Sequence, residues 1–277
     1  MNTYSLHKIS NKEDLSFSKS DYSRFKFGDA TIGHKYGKDL AFGFISDYKL
    51  ELLNSKNLVV ISSPYDYIPT ATFCMKDAFK QELNKWLLIN KLPFAIESKM
   101  HRNTTYTQDY GELSADDRMK LISNDTFAID LDSLKDKTLI FLDDIKITGS
   151  HEHVILNTIK NFKGNTFLLY FAELINKNID PTIENELNYA FVSDITKLND
   201  IIFNSVFKIN TRFVKYILSY NSIDFEKFIS DKPLLFKNNI CANAIGNKYD
   251  KIELYQTNLK ILINNINQTN QIYNYGN

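Results

Sequence analysis

Two adjacent carboxylates, Asp143 and Asp144, close a run of four apolar residues (Leu139, Ile140, Phe141, Leu142) and stand just before a Thr148-Gly149-Ser150 turn. An ionised pair at the end of a buried strand is costly unless cationic or hydroxyl-bearing groups compensate it. After the turn, Val154, Ile155, Thr158, Ile159 and Phe162 fall at helical spacing, so the turn opens a helix. Free amides, small hydroxyls and the positive end of the helix dipole together suit a phosphate. Acid pair and cup lie only a few residues apart, about the size of one sugar phosphate. The competing reading is a plain helix cap after a buried strand, with the aspartates acting as turn formers.

The elements that must position these groups can be read from periodicity. An unbroken apolar run such as Leu139–Leu142 suits a strand covered on both faces, in the middle of a parallel sheet. Leu58-Val-Val-Ile61, Phe94-Ala-Ile96 and Phe167-Leu-Leu-Tyr-Phe171 read as further strands, and Tyr189-Ala-Phe-Val192 as one more candidate. Leu40, Phe44, Ile45, Tyr48 and Leu52 predict a helix from Ala30 to about Leu53, and Phe79, Leu83, Trp86 and Leu87 a second. The polar stretch from Glu97 to Ser114 lacks periodicity and reads as a long loop or hairpin, a kind of segment that is usually functional. Ser114 is placed to cap a helix whose first turn holds Asp116 and Asp117. Strands alternating with helices predict an α/β fold with a largely parallel sheet, whose ligands bind at the carboxyl ends of the strands. Beyond about Leu174 the pattern turns helical, clearest in Ile252, Tyr255, Leu259, Leu262, Ile263 and Ile266, and the end from Asn267 to Asn277 is expected to fray. The expected division is a core over residues 1–175 and a mainly helical hood over 176–277.

Composition narrows the function classes. Lysine plus arginine equals aspartate plus glutamate at 33 each, so net charge gives no argument for nucleic-acid or membrane partners. Cys74 and Cys241 are isolated and fit a reducing compartment. The start lacks an apolar signal core and no segment is long and apolar enough to span a bilayer, so a soluble, cytoplasmic protein is expected. His7, His34, His101 and His153 have no partner visible in sequence.

The run from Leu139 to Ser150 resembles the phosphoribosyltransferase signature, in which four apolar residues precede two Asp, an apolar residue and a Thr-Thr-Gly-type turn. Here Ile147 replaces the first Thr, and His151 stands where a Thr usually follows the small residue. The chain is further similar to the ComF-like group. Arg24-Phe-Lys-Phe-Gly-Asp29 with Gly33, Gly37, Leu40 and Ala41 resembles its early pattern. Arg102-Asn-Thr-Thr-Tyr-Thr-Gln108, Leu113, Ser114, Arg118, Asn124 and Phe127 are similar in order and spacing to its series before the acid pair. The resemblance spans roughly Tyr22 to Glu173. The Asp-Asp-Ile-x-Ile-Thr-Gly-x-His-Glu form is similar to a bacterial branch associated with tellurite-resistance and stress operons. The group's cysteine-rich metal finger is absent, which weakens any link to DNA uptake.

This resemblance implies a phosphoribosyltransferase-like (Rossmann-like) fold and transfer of the phosphoribosyl group of phosphoribosyl pyrophosphate (PRPP), with Mg²⁺, to an unidentified small-molecule acceptor. Asp143 and Asp144 would orient the ribose hydroxyls and help place the metal. Ile147, Thr148, Gly149, Ser150 and His151 would form the sugar-phosphate turn, with His151 replacing a lost hydroxyl or facing elsewhere. Ser63, Pro64, Tyr65 and Asp66 would turn amides toward pyrophosphate, or else simply end a strand. Lys99 and Arg102 would close over the leaving group, or else be solvated loop cations. Arg118 would anchor the loop, and Glu152 would be structural, since a carboxylate there repels phosphate. A PRPP sensor without turnover is the rival reading, and a homodimer is left open.

Overall fold

The computed structural model describes residues 1–55, 57–102 and 127–275, with side chains to 269. Its strands are β1 (Asn2–Ile9), β2 (Leu58–Ser62), β3 (Ile96–Glu97), β4 (His101–Arg102), β5 (Phe127–Ala128), β6 (Thr138–Lys146) and β7 (Thr166–Leu174). Five of them form one parallel sheet in the order β1-β7-β6-β2-β3, while β4 and β5 pair antiparallel. The run Leu139–Leu142 lies in the central strand, and every residue of β6 from Thr138 to Ile145 is buried.

The two-residue period of the strands divides the interior into two layers. Ile140 and Leu142 of β6, Leu58 and Val60 of β2, and Phe167, Leu169 and Phe171 of β7 face one cluster. Leu139, Phe141, Val59, Ile61, Leu168 and Tyr170 face the other. Over the first face pack α1 (Lys19–Lys26), α2 (Ala30–Asp47), α3 (Lys49–Asn54) and α4 (Thr72–Ile89), through side chains such as Tyr22, Phe44 and Phe79. Over the second lies α5 (Ser150–Thr158), through Val154 and Ile155. Burial on both faces is why these strands are apolar throughout.

After the sheet the chain forms α6 (Ile183–Asn188), α7 (Leu198–Asn204), α8 (Thr211–Ser219), α9 (Ser222–Ser230), α10 (Leu234–Gly246) and α11 (Glu253–Tyr275). A third cluster gathers Phe213, Ile217, Phe225, Ile229, Leu259 and Leu262 from these helices, and takes in Phe27 and Ile68 from the sheet region. This is the helical hood. Among the described residues, no helix is long and apolar enough to cross a membrane.

Three local expectations differ from the structure. Tyr189–Val192 is not a strand: Val192 N–H donates to Ser23 Oγ, whose hydroxyl donates to Asn188 O, so α1 rather than a strand partner takes its hydrogen bonds. The predicted helix over 30–53 breaks at Tyr48, whose ring packs on Phe44 and Phe167. The strand at Phe94–Ile96 shrinks to Ile96–Glu97, with Ala95 N–H donating to Asn84 Oδ1. The terminal helix extends to Tyr275. β1 was missed, although it pairs with β7 from Asn2↔Phe167 to Ile9↔Leu174. The helix start at Ser114 and the roles expected of Asn103–Gln108, Leu113, Arg118 and Asn124 lie outside the described residues.

Candidate functional site

The two aspartates end the central strand, at the sheet edge where α/β folds bind ligands. Both are buried, at 6 % and 7 % exposure, yet both line a cavity of about 470 Å³ between this edge and the hood. Asp143 Oδ1 accepts from the Ser63 hydroxyl (2.6 Å) and from Asp144 N–H (3.0 Å), and its Oδ2 lies 3.3 Å from His151 Nδ1. Asp144 Oδ2 accepts from the Tyr22 hydroxyl (2.9 Å) and from the Lys26 ammonium. Each acid therefore has the compensation that its burial requires.

Their electrostatics diverge. Burial alone would raise Asp143, but the His151 ring and the Ser63 hydroxyl outweigh it and hold the carboxyl well below its usual range. Burial raises Asp144, the Lys26 ammonium opposes it, and the charge of Asp143 adds to the rise, leaving Asp144 above its usual value. Two carboxylates pushed apart in this way can take different roles in one site.

The segment Lys26-Phe-Gly-Asp29 joins the core side of this arrangement to the hood, each residue for its own reason. Lys26 meets Asp144. Phe27 is fully buried in the hood cluster, with its ring 5.1 Å from Tyr216. Gly28 has φ +104°, and a Cβ there would lie 2.4 Å from Lys208 O, so a side chain is excluded by conformation and by space. Asp29 caps α2 through Thr31 and Ile32 N–H and pairs with Arg24 at 2.8 Å. The Lys208 N–H to Gly28 O bond (2.9 Å) and Ala30 N–H to Val206 O bond (2.9 Å) then tie hood to core.

At the Thr148–Ser150 turn, Gly149 takes φ +77° and α5 begins at Ser150. Thr148 Oγ1 and Ser150 Oγ lie 2.7 Å apart. Ile147 packs its side chain toward the first core cluster, which accounts for an apolar residue in place of a hydroxyl. His151 lines the same cavity, with its Nδ1 3.3 Å from Asp143 Oδ2. Glu152 is held by Lys146 (2.9 Å) and the Tyr170 hydroxyl (2.8 Å), in line with a structural role.

The other sequence candidates divide. Ser63 and Pro64 line the cavity, whereas Tyr65 and Asp66 do not. Lys99 also lies off the lining; its ammonium sits 4.2 Å from the Tyr65 ring centroid and donates to Asp66 O at 2.5 Å. Arg102 does line it, at the β4–β5 pair that forms the base of the polar stretch, with its guanidinium 6.0 Å from the Phe127 ring.

Sequence reading missed Lys26 and the hood contribution. Arg212, Lys215, Tyr216 and Ser219, at successive positions of one helical face of α8, line the cavity, while Phe213, Val214, Ile217 and Leu218 are buried in the hood. The signal was present as an i, i+3, i+4, i+7 polar stripe, but such a stripe ordinarily faces solvent. Glu184, Tyr189 and Tyr255 complete this side. Among the described residues, no three His, Cys, Asp or Glu converge to hold a metal.

A family model described as PRTase ComF-like matches residues 1–262, a span that includes the hood as far as α11. No curated protein matches the chain.

Proposed function

The chain belongs to the ComF-like phosphoribosyltransferase family, and from that premise we propose that it binds PRPP at the carboxyl edge of the sheet and transfers its phosphoribosyl group to a small nucleophilic acceptor. The observation that carries this reading is that Asp143, Asp144 and the Thr148–Ser150 turn line one cavity. The turn takes the sugar phosphate through hydroxyls and the first amides of α5. The acid pair takes the ribose hydroxyls, with ionised Asp143 the stronger acceptor. The C1–O bond to pyrophosphate breaks with its electron pair going to the leaving oxygen. The acceptor's lone pair forms the new bond at C1, and its proton passes to the departing pyrophosphate. The hood encloses the reacting centre and keeps water from competing as nucleophile.

Two adjacent carboxylates suit a Mg²⁺ ion carried chiefly on substrate phosphate oxygens, since such an ion needs only one or two protein carboxylates. When bound it supplies neutralisation of the charge that develops on pyrophosphate, and Asp143 and Asp144 would hold it or its waters. Free Cys74 and Cys241 agree with a cytoplasmic location.

A sensor without turnover is the second reading, favoured by one observation: Ile147, where the signature has a hydroxyl, packs against the core. Titration with Mg²⁺ and PRPP, followed by pyrophosphate release across a panel of nitrogenous acceptors, separates the two. Binding with release supports transfer; binding without release for every acceptor supports the sensor. No binding at all removes both.

A further inference from the structure

The first turn of α5 carries an anion of its own. Glu152 is the third residue of the helix, where the positive end of the dipole also favours a ligand phosphate, so side chain and ligand compete for one field. Two donors hold its carboxylate. Glu152 Oε2 accepts from the Lys146 ammonium of β6 (2.9 Å) and from the Tyr170 hydroxyl of β7 (2.8 Å). Burial, and after it the charge of Glu152, raises Tyr170 well above the usual phenol range, so the hydroxyl keeps its proton and donates.

Lys146 is the centre of a wider network. Its ammonium also lies 3.2 Å from Glu173 Oε1, and Glu173 Oε2 accepts from the Ser5 hydroxyl at 2.7 Å, so one cation stands between two carboxylates. Burial alone would lower Lys146, but Glu152 and Glu173 outweigh it and raise it, which keeps the ammonium charged. The stem passes close to the turn: Lys146 Cε lies 3.7 Å from the position that a Cβ on Gly149 would take. Lys146, Glu152 and Tyr170 line the cavity together with Thr148, Gly149 and Ser150. The Lys146 and Glu152 side chains are each about a fifth exposed, so solvent screens their charges only in part.

We propose that Lys146 and Glu152 set the affinity of the Thr148–Ser150 turn for the sugar phosphate: Glu152 opposes the phosphate, and Lys146 is the positioning residue that neutralises Glu152 and holds it against Tyr170. This deepens the phosphoribosyl-transfer reading and rests on it. The turn then holds phosphate less tightly than its hydroxyls and amides alone would, which suits a site that must also release a phosphorylated product.

The test measures binding of ribose 5-phosphate to the full chain by calorimetry. Wild type should bind it. Glu152→Gln should tighten binding about tenfold, because the opposing charge is gone while Lys146 stays beside the turn. Lys146→Met should weaken binding about tenfold, because Glu152 then faces the phosphate uncompensated. Lys146→Arg should recover most of that loss, and Lys146→Met with Glu152→Gln should return to within about threefold of wild type. The direction of the Glu152→Gln change separates this role from a structural brace, since breaking a brace loosens the turn and does not tighten it. Should Lys146→Met fail to fold, that direction still decides. Unchanged or weaker binding by Glu152→Gln, or unchanged binding by a folded Lys146→Met, overturns the inference while wild-type binding preserves the sugar-phosphate site. Wild type that does not bind ribose 5-phosphate removes the functional reading and the inference together.

Discussion

The Lys26 ammonium donates to Asp144 from 118 residues earlier in the chain, and Tyr22, one helical turn before it, donates its hydroxyl to the same oxygen. Helix α1 thus presents a cation and a neutral donor to one carboxylate of the acid pair. The same helix packs Tyr22 and Phe25 into the core under the sheet. The charge state of the cavity is therefore built into the packing of α1, and on the proposed function PRPP would have to share Asp144 with Lys26 or draw the ammonium toward its phosphates.

Removing Lys26 leaves Asp144 buried without a cation. Lys26→Met should destabilise the fold by about 3 kcal/mol, as for a buried pair broken on one side. Lys26→Met with Asp144→Asn should cost clearly less than the sum of the single changes, because the unpaired charge disappears. Urea unfolding of the four proteins of this cycle measures the coupling; simple additivity would show that the contact contributes nothing.

The acid pair should be indispensable for ligand, whereas its neutralisation should cost stability without changing the fold. Asp143→Asn with Asp144→Asn removes both anionic acceptors for ribose hydroxyls while keeping their shape, and PRPP affinity should fall by more than about a hundredfold. Circular dichroism should stay native. Retention of wild-type affinity would show that the sugar lies elsewhere in the cavity.

What the sequence made legible is the part of the site carried by contiguous residues. The run Leu139–Ser150 encodes strand, acids, turn and helix start within one stretch, so periodicity and residue type were enough to place it. Lys26, Arg212 and Lys215 were not legible as site residues because their roles depend on contacts across the fold: Gly28 against Lys208, and Thr211 against Pro69. β1 escaped because an edge strand with one covered face is only weakly patterned, and its burial alternates imperfectly. Tyr189–Val192 misled because apolar residues packing beneath a hood look, locally, like a strand.

Asp143 should leave a mark on acid stability. Its folded-state carboxyl is held below the usual 3.8, so it contributes stability that is fully present above that value and is lost as pH falls through the lower folded value. Asp144 is raised, and its contribution runs the other way: it is present below 3.8 and lost as pH rises through the higher folded value. Relative to Asp143→Asn, wild type should therefore be the more stable near neutrality, with the difference narrowing as pH falls below about 3.8. Unfolding midpoints of both proteins across an acid series measure this; a difference independent of pH would assign the effect to packing alone.

Arg102, in the β4–β5 pair, lines the same cavity as the acid pair. On the proposed function, a cation there would act most on the charge that develops as pyrophosphate leaves. Arg102→Ala should reduce turnover about a hundredfold and PRPP affinity far less. Steady-state rates beside equilibrium titration distinguish these, and matched losses in both would make Arg102 an ordinary ground-state contact.

Gly28 joins the stability of the hood to the chemistry beneath it. Its φ of +104° and the 2.4 Å approach that a Cβ would make to Lys208 O mean that Gly28→Ala must shift either the Gly28 backbone or the Val206–Lys208 segment. Strain of both kinds at one residue should cost about 3 kcal/mol. The loss should not be confined to stability, because Lys26 lies two residues before the strained position and Asn210, which donates to Lys26 O at 3.1 Å, lies two residues after Lys208. Displacement should loosen α8 together with the Lys26–Asp144 contact, so hydrogen exchange should rise across α8 and α1 together. Exchange that rises at Val206–Lys208 alone would mean that the hood and the acid pair are positioned independently.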